Sequence, residues 1–185
     1  MGRVSQAQAQ ENRRRVVETA SRLLREQGTH LSVADLMKSA GLTHGGFYKQ
    51  FASKEALIDE ATAHAFAELA QHHKDGLDQY AGRDAAQRAL IDAYLSVEHR
   101  DSPADGCPAA ALATDMARDG RETEARRVYT QGVGDFADFL AAKDQDGITR
   151  LCTMLGALVL SRATNGTPLS DEILTAARTA LIGTN

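Results

Sequence analysis

The sequence predicts an all-α protein with nine helices in two domains. Apolar residues recur at helical spacing from residue 11 to residue 182, and no stretch shows the alternation of a strand. Glycine and proline fall between these segments, where turns are expected. The 185 residues are enough for two small domains. We expect a small amino-terminal domain over 1–52, preceded by a mobile arm over 1–10, and a larger domain over 53–185.

The first three helices are short and have clear boundaries. The first covers 11–27, where apolar residues form one helical face, and Gly28 ends it. Ser32 is a suitable N-cap for the second helix. Gly41 permits a left-handed turn, after which Thr43 caps the third helix. This order of elements predicts a helix-turn-helix.

The six later helices are predicted from the same signals. Ser53 caps the fourth helix, which ends near Gly76. Proline at 108 is well placed in the first turn of a helix that begins at Cys107. The five remaining predictions cover 83–99, 107–120, 122–142, 148–163 and 170–182.

The charge distribution separates the two ends of the chain. Residues 1–55 hold nine Lys or Arg and five acidic residues, a balance of +4. The whole chain has a net charge of −4, so the rest carries −8. A basic amino-terminal region can meet phosphate, whereas an acidic remainder is repelled by it.

The segment 42–51 is the most informative stretch for function. It follows an amphipathic helix and a glycine turn, and the capped helix at Ser53 follows it. Such a helix pair fits the major groove of DNA, with the second helix reading bases. The segment therefore predicts sequence-specific DNA binding.

Four linked motifs give this region a family resemblance. They read Ala20-x-x-Leu23-Leu24-x-x-x-Gly28, Ser32-Val33-x-x-Leu36, Ala40-Gly41-Leu42-Thr43, and Gly45-x-x-Tyr48-x-x-Phe51-x-x-Lys54-x-x-Leu57. The first 70 residues thus resemble the DNA-binding domain of TetR/AcrR-type transcriptional regulators. Gln50 departs from the His that the family often carries, and Gly46 adds backbone freedom that costs roughly 1 kcal/mol relative to Ala. Beyond about residue 75 the resemblance rests on helix number and spacing.

The resemblance implies a set of DNA-contacting residues. The helix from Thr43 to Gln50 would lie in the major groove, where Lys49 can donate to guanine and Tyr48 to a phosphate. Phe47 and Phe51 would anchor it from below. The expected DNA-binding residues are Thr43, His44, Gly45, Tyr48, Lys49, Lys54, Ser32, Val33 and Arg14. Without the surrounding motifs, His44 would be interpreted as an exposed polar residue, and the arginines at 13–15 as a solvated helix face.

The last two predicted helices are candidates for a dimer interface. One reading helix makes few contacts, and a two-fold dimer on palindromic DNA doubles them. The resemblance implies a four-helix bundle between subunits. The residues predicted for it are Leu151, Leu155, Leu158, Ile173, Ala177 and Leu181. The alternative is a purely intramolecular core.

The middle helices are expected to enclose a pocket for a small-molecule effector. Its predicted lining is Phe66, Tyr94, Cys107, Met116, Tyr129, Phe136 and Met154, which suggests an apolar or aromatic ligand. Each of these residues also fits an ordinary core. Repression, rather than activation, is expected from the frequency of repressors in the family.

Cys107 carries a separate hypothesis. At the N-cap of a helix, the dipole lowers the pKa of a thiol and favours the reactive thiolate. Cys107 could then sense electrophiles or oxidants, or simply be a small packed residue. A helical enzyme that uses Cys107 as nucleophile is an alternative function, although the chain lacks a His close to it in sequence. Neither that enzyme nor a structural interaction module explains the basic helix-turn-helix.

Several classes of site are not predicted. The longest apolar run, 154–160, is too short to span a bilayer, and the polar amino terminus lacks the apolar region of a signal peptide. We therefore expect a cytoplasmic protein with no membrane partner and with both cysteines reduced. The histidines have no partners at metal-ligand spacing, so no metal or cofactor is expected.

Overall fold

A computed structural model describes residues 6–142 and 146–183 of the chain. Within these ranges the chain folds into nine α-helices and two 3-10 helices, which confirms the all-α prediction. The α-helices are α1 Gln6–Gln27, α2 Val33–Ser39, α3 Lys54–Gln79, α4 Arg83–Tyr94, α5 Val97–Asp101, α6 Pro108–Asp119, α7 Glu124–Leu140, α8 Gly147–Ala163 and α9 Pro168–Ile182. The 3-10 helices are His44–Lys49 and Pro103–Asp105.

Three predicted elements differ from the structure. Helix α1 begins at Gln6, so the prediction of a mobile arm is wrong for residues 6–10; residues 1–5 lie outside the described chain. The alternating Gln and Ala at 6–10 are good helix formers, which extends the helix. The predicted helix over 83–99 is interrupted at Leu95, whose φ of −95° and ψ of 35° leave helical geometry. Ser96 then caps α5 by accepting from the backbone N–H of His99 at 3.1 Å.

The third difference concerns the reading helix. It is a six-residue 3-10 helix, His44–Lys49, rather than a full α-helix. Two consecutive glycines, Gly45 and Gly46, lower the helix propensity of this short segment. A short 3-10 turn is the usual result where a helix cannot extend further.

A first hydrophobic core holds the amino-terminal elements together. We call α1, α2, the 3-10 helix His44–Lys49 and the first two turns of α3 the head, and the rest of the chain the body. The buried residues of the head core are Val16, Ala20, Leu24, Leu36, Met37, Ala40, Phe47, Phe51, Leu57 and Ala61. The body adds Leu112, Met116 and Ala125 to this core, so α6 and α7 hold the head from one side.

A second core lies within the body. Its larger buried residues are Phe66, Ile91, Tyr94, Leu95, Phe136, Leu140, Leu151, Met154, Leu158 and Leu174. Gly132 makes close packing possible here, since an added Cβ would lie 2.1 Å from the Phe66 ring. Because α3 contributes to both cores, the division after residue 52 stays a prediction.

The turn after α1 connects head and body. Gly28 has a φ of +78°, a conformation that favours glycine. The next residue, Thr29, donates its backbone N–H to Asp115 of α6 at 2.7 Å and accepts from Lys54 Nζ at 2.8 Å. Asp59 of α3 also accepts from the backbone N–H of Ala125 at 2.8 Å. The position of the head therefore depends on α6 and α7.

Candidate nucleic-acid interface and effector cleft

The reading helix is anchored on its inner side by aromatic residues. Phe47 is fully buried and stacks on Phe51, with ring centroids 5.5 Å apart. The Arg13 guanidinium lies 4.2 Å from the centre of the Phe51 ring and bonds to the Gln50 carbonyl and to Glu60. The core role expected for both phenylalanines is confirmed, and Arg13 is an anchor that sequence reasoning missed.

The outer side of the same helix presents polar groups to solvent. Thr43, His44, Gly45, Tyr48 and Lys49 are all exposed. The Tyr48 side chain is 67% exposed and keeps its ring edge-on to Phe47 at 5.1 Å. A Cβ on Gly45 would meet no atom within 4 Å, so nothing inside the described protein requires glycine there. This surface, which we call the reader surface, groups five of the nine predicted DNA-binding residues.

Ser32 and Val33 lie at the start of α2. Ser32 Oγ accepts from the backbone N–H of Asp35 at 3.1 Å and donates to its carboxylate at 2.5 Å. Ser32 is exposed and Val33 is half-buried. The expected N-cap is thus formed, at a helix N-terminus whose free N–H groups suit a phosphate.

Lys54 and Arg14 already have partners in the protein. Lys54 is half-buried, and its ammonium is bound to the Thr29 carbonyl. Arg14 is exposed and pairs with Glu11 at 2.9 Å and Glu18 at 3.7 Å, and these carboxylates raise its pKa. Either residue must share or exchange its partner to contact a phosphate.

The predicted effector residues fall into two groups. Phe66, Tyr94, Cys107, Phe136 and Met154 belong to the body core, and Tyr129 packs against it. Met116 instead belongs to the head core. Its position near the end of α6, beside the head, explains the difference, and Met116 does not share a cavity with the others.

A cleft of about 610 Å³ lies between α1, α3, α4 and the segment 96–107. Tyr94 and Cys107 are the two predicted effector residues that line it. Sequence reasoning missed further lining residues, which include Arg25, Glu68, Leu69, Leu90, Ala93 and His99. One available signal was Arg25 itself, which follows buried Ser21 by one turn on the flank of the apolar face of α1.

The environment of Cys107 opposes a thiolate. Cys107 is the N-cap of α6, as predicted, but burial raises the pKa of its thiol despite nearby groups that lower it, the Tyr94 hydroxyl and two backbone N–H groups. The expected lowered pKa is therefore wrong, because desolvation outweighs the helix terminus. The adjacent His99 ring accepts the Cys107 backbone N–H at Nε2 and lies 2.7 Å from the Tyr94 carbonyl through Nδ1. Burial also lowers the pKa of His99.

The predicted dimer residues divide by exposure. Leu151, Leu158 and Ala177 are buried in the body core of their own protomer and leave no surface for a partner. Helix α8 is apolar on several sides, so its pattern did not show which side is free. Leu155, Ile173 and Leu181 are partly buried. The large apolar side chains that are exposed on the two helices are Ile148, Val159, Leu160 and Leu169.

The described helices include none that is both long and apolar enough to cross a membrane.

Known proteins resemble this chain at two levels: a family model matches part of the head, and solved structures match the whole fold. Residues 16–61 match the family model described as bacterial regulatory proteins, tetR family. The search of curated protein sequences gave no match. The reduced form of NemR from Escherichia coli has a TM-score of 0.77 at 20% identity, covering 93% of this chain and 95% of NemR.

Other solved structures give the same fold. A TetR-family regulator from Agrobacterium tumefaciens has a TM-score of 0.77 at 16% identity, covering 94% of this chain and 98% of that one. AibR, solved in complex with isovaleryl coenzyme A and operator DNA, has a TM-score of 0.64 at 15% identity, covering 94% of this chain and 100% of AibR. The family match coincides with the reader surface and its anchors, and the fold match extends over the body. Residues 16–61 therefore match the tetR-family model, and the chain as a whole has the fold of solved TetR-family regulators.

Proposed function

We propose that this protein is a ligand-responsive repressor that binds a palindromic operator as a homodimer and is released by a small molecule in the body. The reader surface is the observation that carries the proposal. It exposes polar groups on one side of a helix whose other side is fixed by Phe47 and Phe51. A rigid support with exposed donors is what direct reading of base edges requires.

The reader residues divide into two roles in this proposal. Lys49 and His44 face bases, and Gly45 lets the DNA approach the backbone closely. Tyr48 and the N-terminus of α2 contact phosphates, which position the protein without selecting sequence. These contacts require double-stranded DNA, and each subunit of the dimer would contact one half of a palindrome.

An exposed face on α8 and α9 supports the homodimer. On α8 the residues Ile148, Cys152, Leu155 and Val159 recur at helical spacing and are exposed or half-buried. On α9 the same holds for Leu169, Ile173, Ala176 and Ala180. Two such helices from each subunit would form the expected four-helix bundle, with Leu155 and Ile173 retained from the predicted set.

A dimer would make effector binding effective, because the spacing of two heads decides whether both reach the DNA. The segment 103–107 lies between the cleft and the head. Asp105 pairs with Arg22 of α1 at 2.5 Å, and Gly106 offers its carbonyl to Arg25 at 3.5 Å. A ligand that displaces this segment would therefore move α1.

Helix α5, which contributes His99 to the cleft wall, contacts the proposed dimer helices. Arg162 of α8 donates to the carbonyls of His99 and Arg100, each at 3.0 Å. The wall of the cleft is thus connected to the head on one side and to α8 on the other. A ligand shifts the equilibrium between the DNA-binding conformation and the released one. The size of that shift is limited by the difference in the ligand's affinity for the two. AibR, a protein of this fold, was solved with both isovaleryl coenzyme A and operator DNA, which supports the analogy.

A repressor of this kind acts where the chromosome is, so we place the protein in the cytoplasm.

A second candidate is electrophile or oxidant sensing at Cys107, because this thiol lines the cleft. Its raised pKa predicts slow reaction in the absence of a bound ligand. Cys152 lies on the proposed dimer face, so it is replaced in a Cys152→Ser protein and free glutathione serves as the reference thiol. Alkylation of Cys107 by iodoacetamide at neutral pH should be slower than that of glutathione. Faster modification of Cys107 would favour the sensor.

The enzyme alternative gains no support from the site. The His99 Nε2 atom accepts the backbone N–H of Cys107, and the thiol interacts with Tyr94. A thiol–imidazole pair, which activates a cysteine nucleophile, needs the ring nitrogen for the thiol itself.

Binding of the full-length protein to DNA tests the proposal. Fluorescence anisotropy with a duplex from upstream of its own gene should show binding that weakens steeply as salt rises from 50 to about 200 mM. A duplex of the same composition in shuffled order is the control. Equal affinity for both duplexes, or no binding at low salt, would contradict the proposal.

A further inference from the structure

The cleft between α1 and α4 contains hydrogen-bond donors that nothing satisfies. Among the described residues, Arg25 Nε and the Tyr94 hydroxyl are buried without a hydrogen-bond partner. Both side chains line this cleft and are more than nine-tenths buried. The neighbour of the Tyr94 hydroxyl is the Cys107 thiol, a weak acceptor. Buried donors of this kind are rare and call for an acceptor.

The acceptors around the cleft are already in use. Glu68 accepts from Arg25 at 2.9 Å and lies 3.4 Å from His64. Asp105 is paired with Arg22. The His99 Nε2 lone pair accepts the Cys107 backbone N–H. Among the buried polar side-chain atoms of the described lining, the two without a partner, Arg25 Nε and the Tyr94 hydroxyl, are therefore both donors.

The charges of the cleft disfavour an anionic ligand. Of the lining carboxylates, Glu68 is paired with Arg25 and Asp105 with Arg22, whereas Glu98 forms no ion pair within the described part of the chain. Glu98 is exposed, so its charge faces any ligand that enters. The remaining wall includes the apolar side chains of Leu69, Leu90 and Ala93. A volume of about 610 Å³ is in the usual range of small-molecule sites.

We propose that this cleft binds a neutral, largely apolar molecule whose carbonyl-type oxygen accepts hydrogen bonds from Tyr94 and Arg25. The inference rests on the proposed function and names the chemical class of its effector. Both donors lack a partner among the described residues, and a ligand oxygen that displaces the lining side chains slightly would satisfy them. Arg25 belongs to α1, and a ligand that bonds to it contacts the head directly. The head is then part of the effector site and not only its target.

A matched pair of fluorescent probes tests the inference. Prodan, 6-propionyl-2-(dimethylamino)naphthalene, is neutral and carries one carbonyl, whereas 6-propyl-2-(dimethylamino)naphthalene has the same rings and chain length without it. The full-length protein should bind Prodan about 2- to 10-fold more tightly, the effect of one satisfied hydrogen bond. The carboxylate analogue, 6-(dimethylamino)-2-naphthoate, should bind less tightly than Prodan. Equal binding of the two neutral probes, or tighter binding of the carboxylate, would overturn the inference.

Substitutions locate the effect. Tyr94→Phe removes a hydroxyl whose neighbour is the weakly accepting Cys107 thiol, so it should preserve folding and reduce the preference for Prodan, while Arg25 keeps part of it. Tyr129→Phe is the control, because that hydroxyl already donates to the Ala109 carbonyl at 2.8 Å. Ala93→Trp fills an exposed position in the cleft wall and should abolish binding of both neutral probes. An unchanged Prodan preference in Tyr94→Phe would contradict the inference.

Operator binding without probe is measured on the same proteins. If the protein prefers Prodan but binds no operator, the proposed repressor function is refuted and the proposed ligand class is retained. A protein that binds its operator but shows no Prodan preference would refute only the ligand class.

Discussion

The head exposes its candidate functional residues to solvent, whereas the body buries most of its own in the core. In the head, Tyr48 and Lys49 are exposed, and the neighbouring Phe47 is buried to hold them. In the body, Tyr94 and Cys107 are themselves buried and form part of the core. A surface that reads DNA can be stable before its partner arrives. In a ligand site made from core residues, the same side chains contribute both to the stability of the fold and to ligand binding.

This difference predicts which substitutions separate stability from function. In the head, exposed positions should affect DNA binding alone, and buried anchors should affect both. In the body, few lining residues should change ligand binding without some change in stability. The following predictions test this contrast, from the largest expected effect to the smallest.

Phe47→Ala should have the largest effect. The ring is fully buried and stacks on Phe51, so its loss should lower the free energy of unfolding by about 3–5 kcal/mol. His44→Ala, three residues earlier and exposed, is the control and should change stability by less than about 0.5 kcal/mol. Urea denaturation followed by circular dichroism measures both. Equal stability of the two variants would show that the reading helix is not anchored as described.

Gly147→Ala tests the body in the same way. An added Cβ would lie 2.0 Å from the Ala137 carbonyl oxygen, a backbone atom that cannot rotate away. We expect a loss of about 3 kcal/mol in the free energy of unfolding. Gly156→Ala, on the same helix with no atom within 4 Å, should instead be neutral or stabilising by about 0.5–1 kcal/mol. Thermal melts of both variants decide, and similar melting temperatures would refute the packing of α8 on α7.

Lys49→Ala should leave stability unchanged and reduce operator affinity by about 1–3 kcal/mol, while relaxing the choice of one base pair. Tyr48→Phe, on the same exposed side, should weaken binding to all sequences alike. Anisotropy titrations with single-base variants of the operator distinguish the two. An unchanged base preference in Lys49→Ala would remove this residue from the base-reading set.

His73 gives the body core a dependence on pH. Its ring stacks on Phe139 at 4.4 Å, and burial lowers its pKa from 6.5 to about 4. The neutral form is favoured by folding, so its contribution is complete above pH 6.5 and declines as pH falls toward 4. Stability should fall by about 1 kcal/mol per pH unit in this window. His73→Phe should remove most of this slope, whereas His72→Gln should retain most of it, because burial is the larger cause of the lowered pKa and the charge of His72 the smaller.

The sequence predicted the head better than the body because local signals decide the head. Its caps, its glycine turn and the spacing of Phe47 and Phe51 act within a few residues. The 3-10 geometry of 44–49 was missed because the glycine pair was weighed only as a small cost in an α-helix. The arm at 6–10 was missed because its composition was read as polar rather than helix-forming.

The body depends on contacts between distant residues. Arg25 meets Glu68 and Gly106 across 43 and 81 residues, and no local pattern places these groups in one cleft. Contacts between distant residues also explain why Met116 was assigned to the effector pocket, although its position on α6 packs it into the head core. In α8, apolar residues on several sides allowed no choice between the inward Leu158 and the outward Val159, which is 47% exposed. Packing, and not periodicity, makes that choice.

A hydroxyl-radical footprint of the full-length protein on DNA upstream of its own gene tests the central claim most directly. A dimeric reader should protect two symmetric half-sites whose centres are one helical turn, about 10 base pairs, or a multiple apart. Lys49→Ala should weaken both half-sites together. Protection of a single asymmetric site, or no protection at low salt, would contradict a two-headed operator-binding regulator.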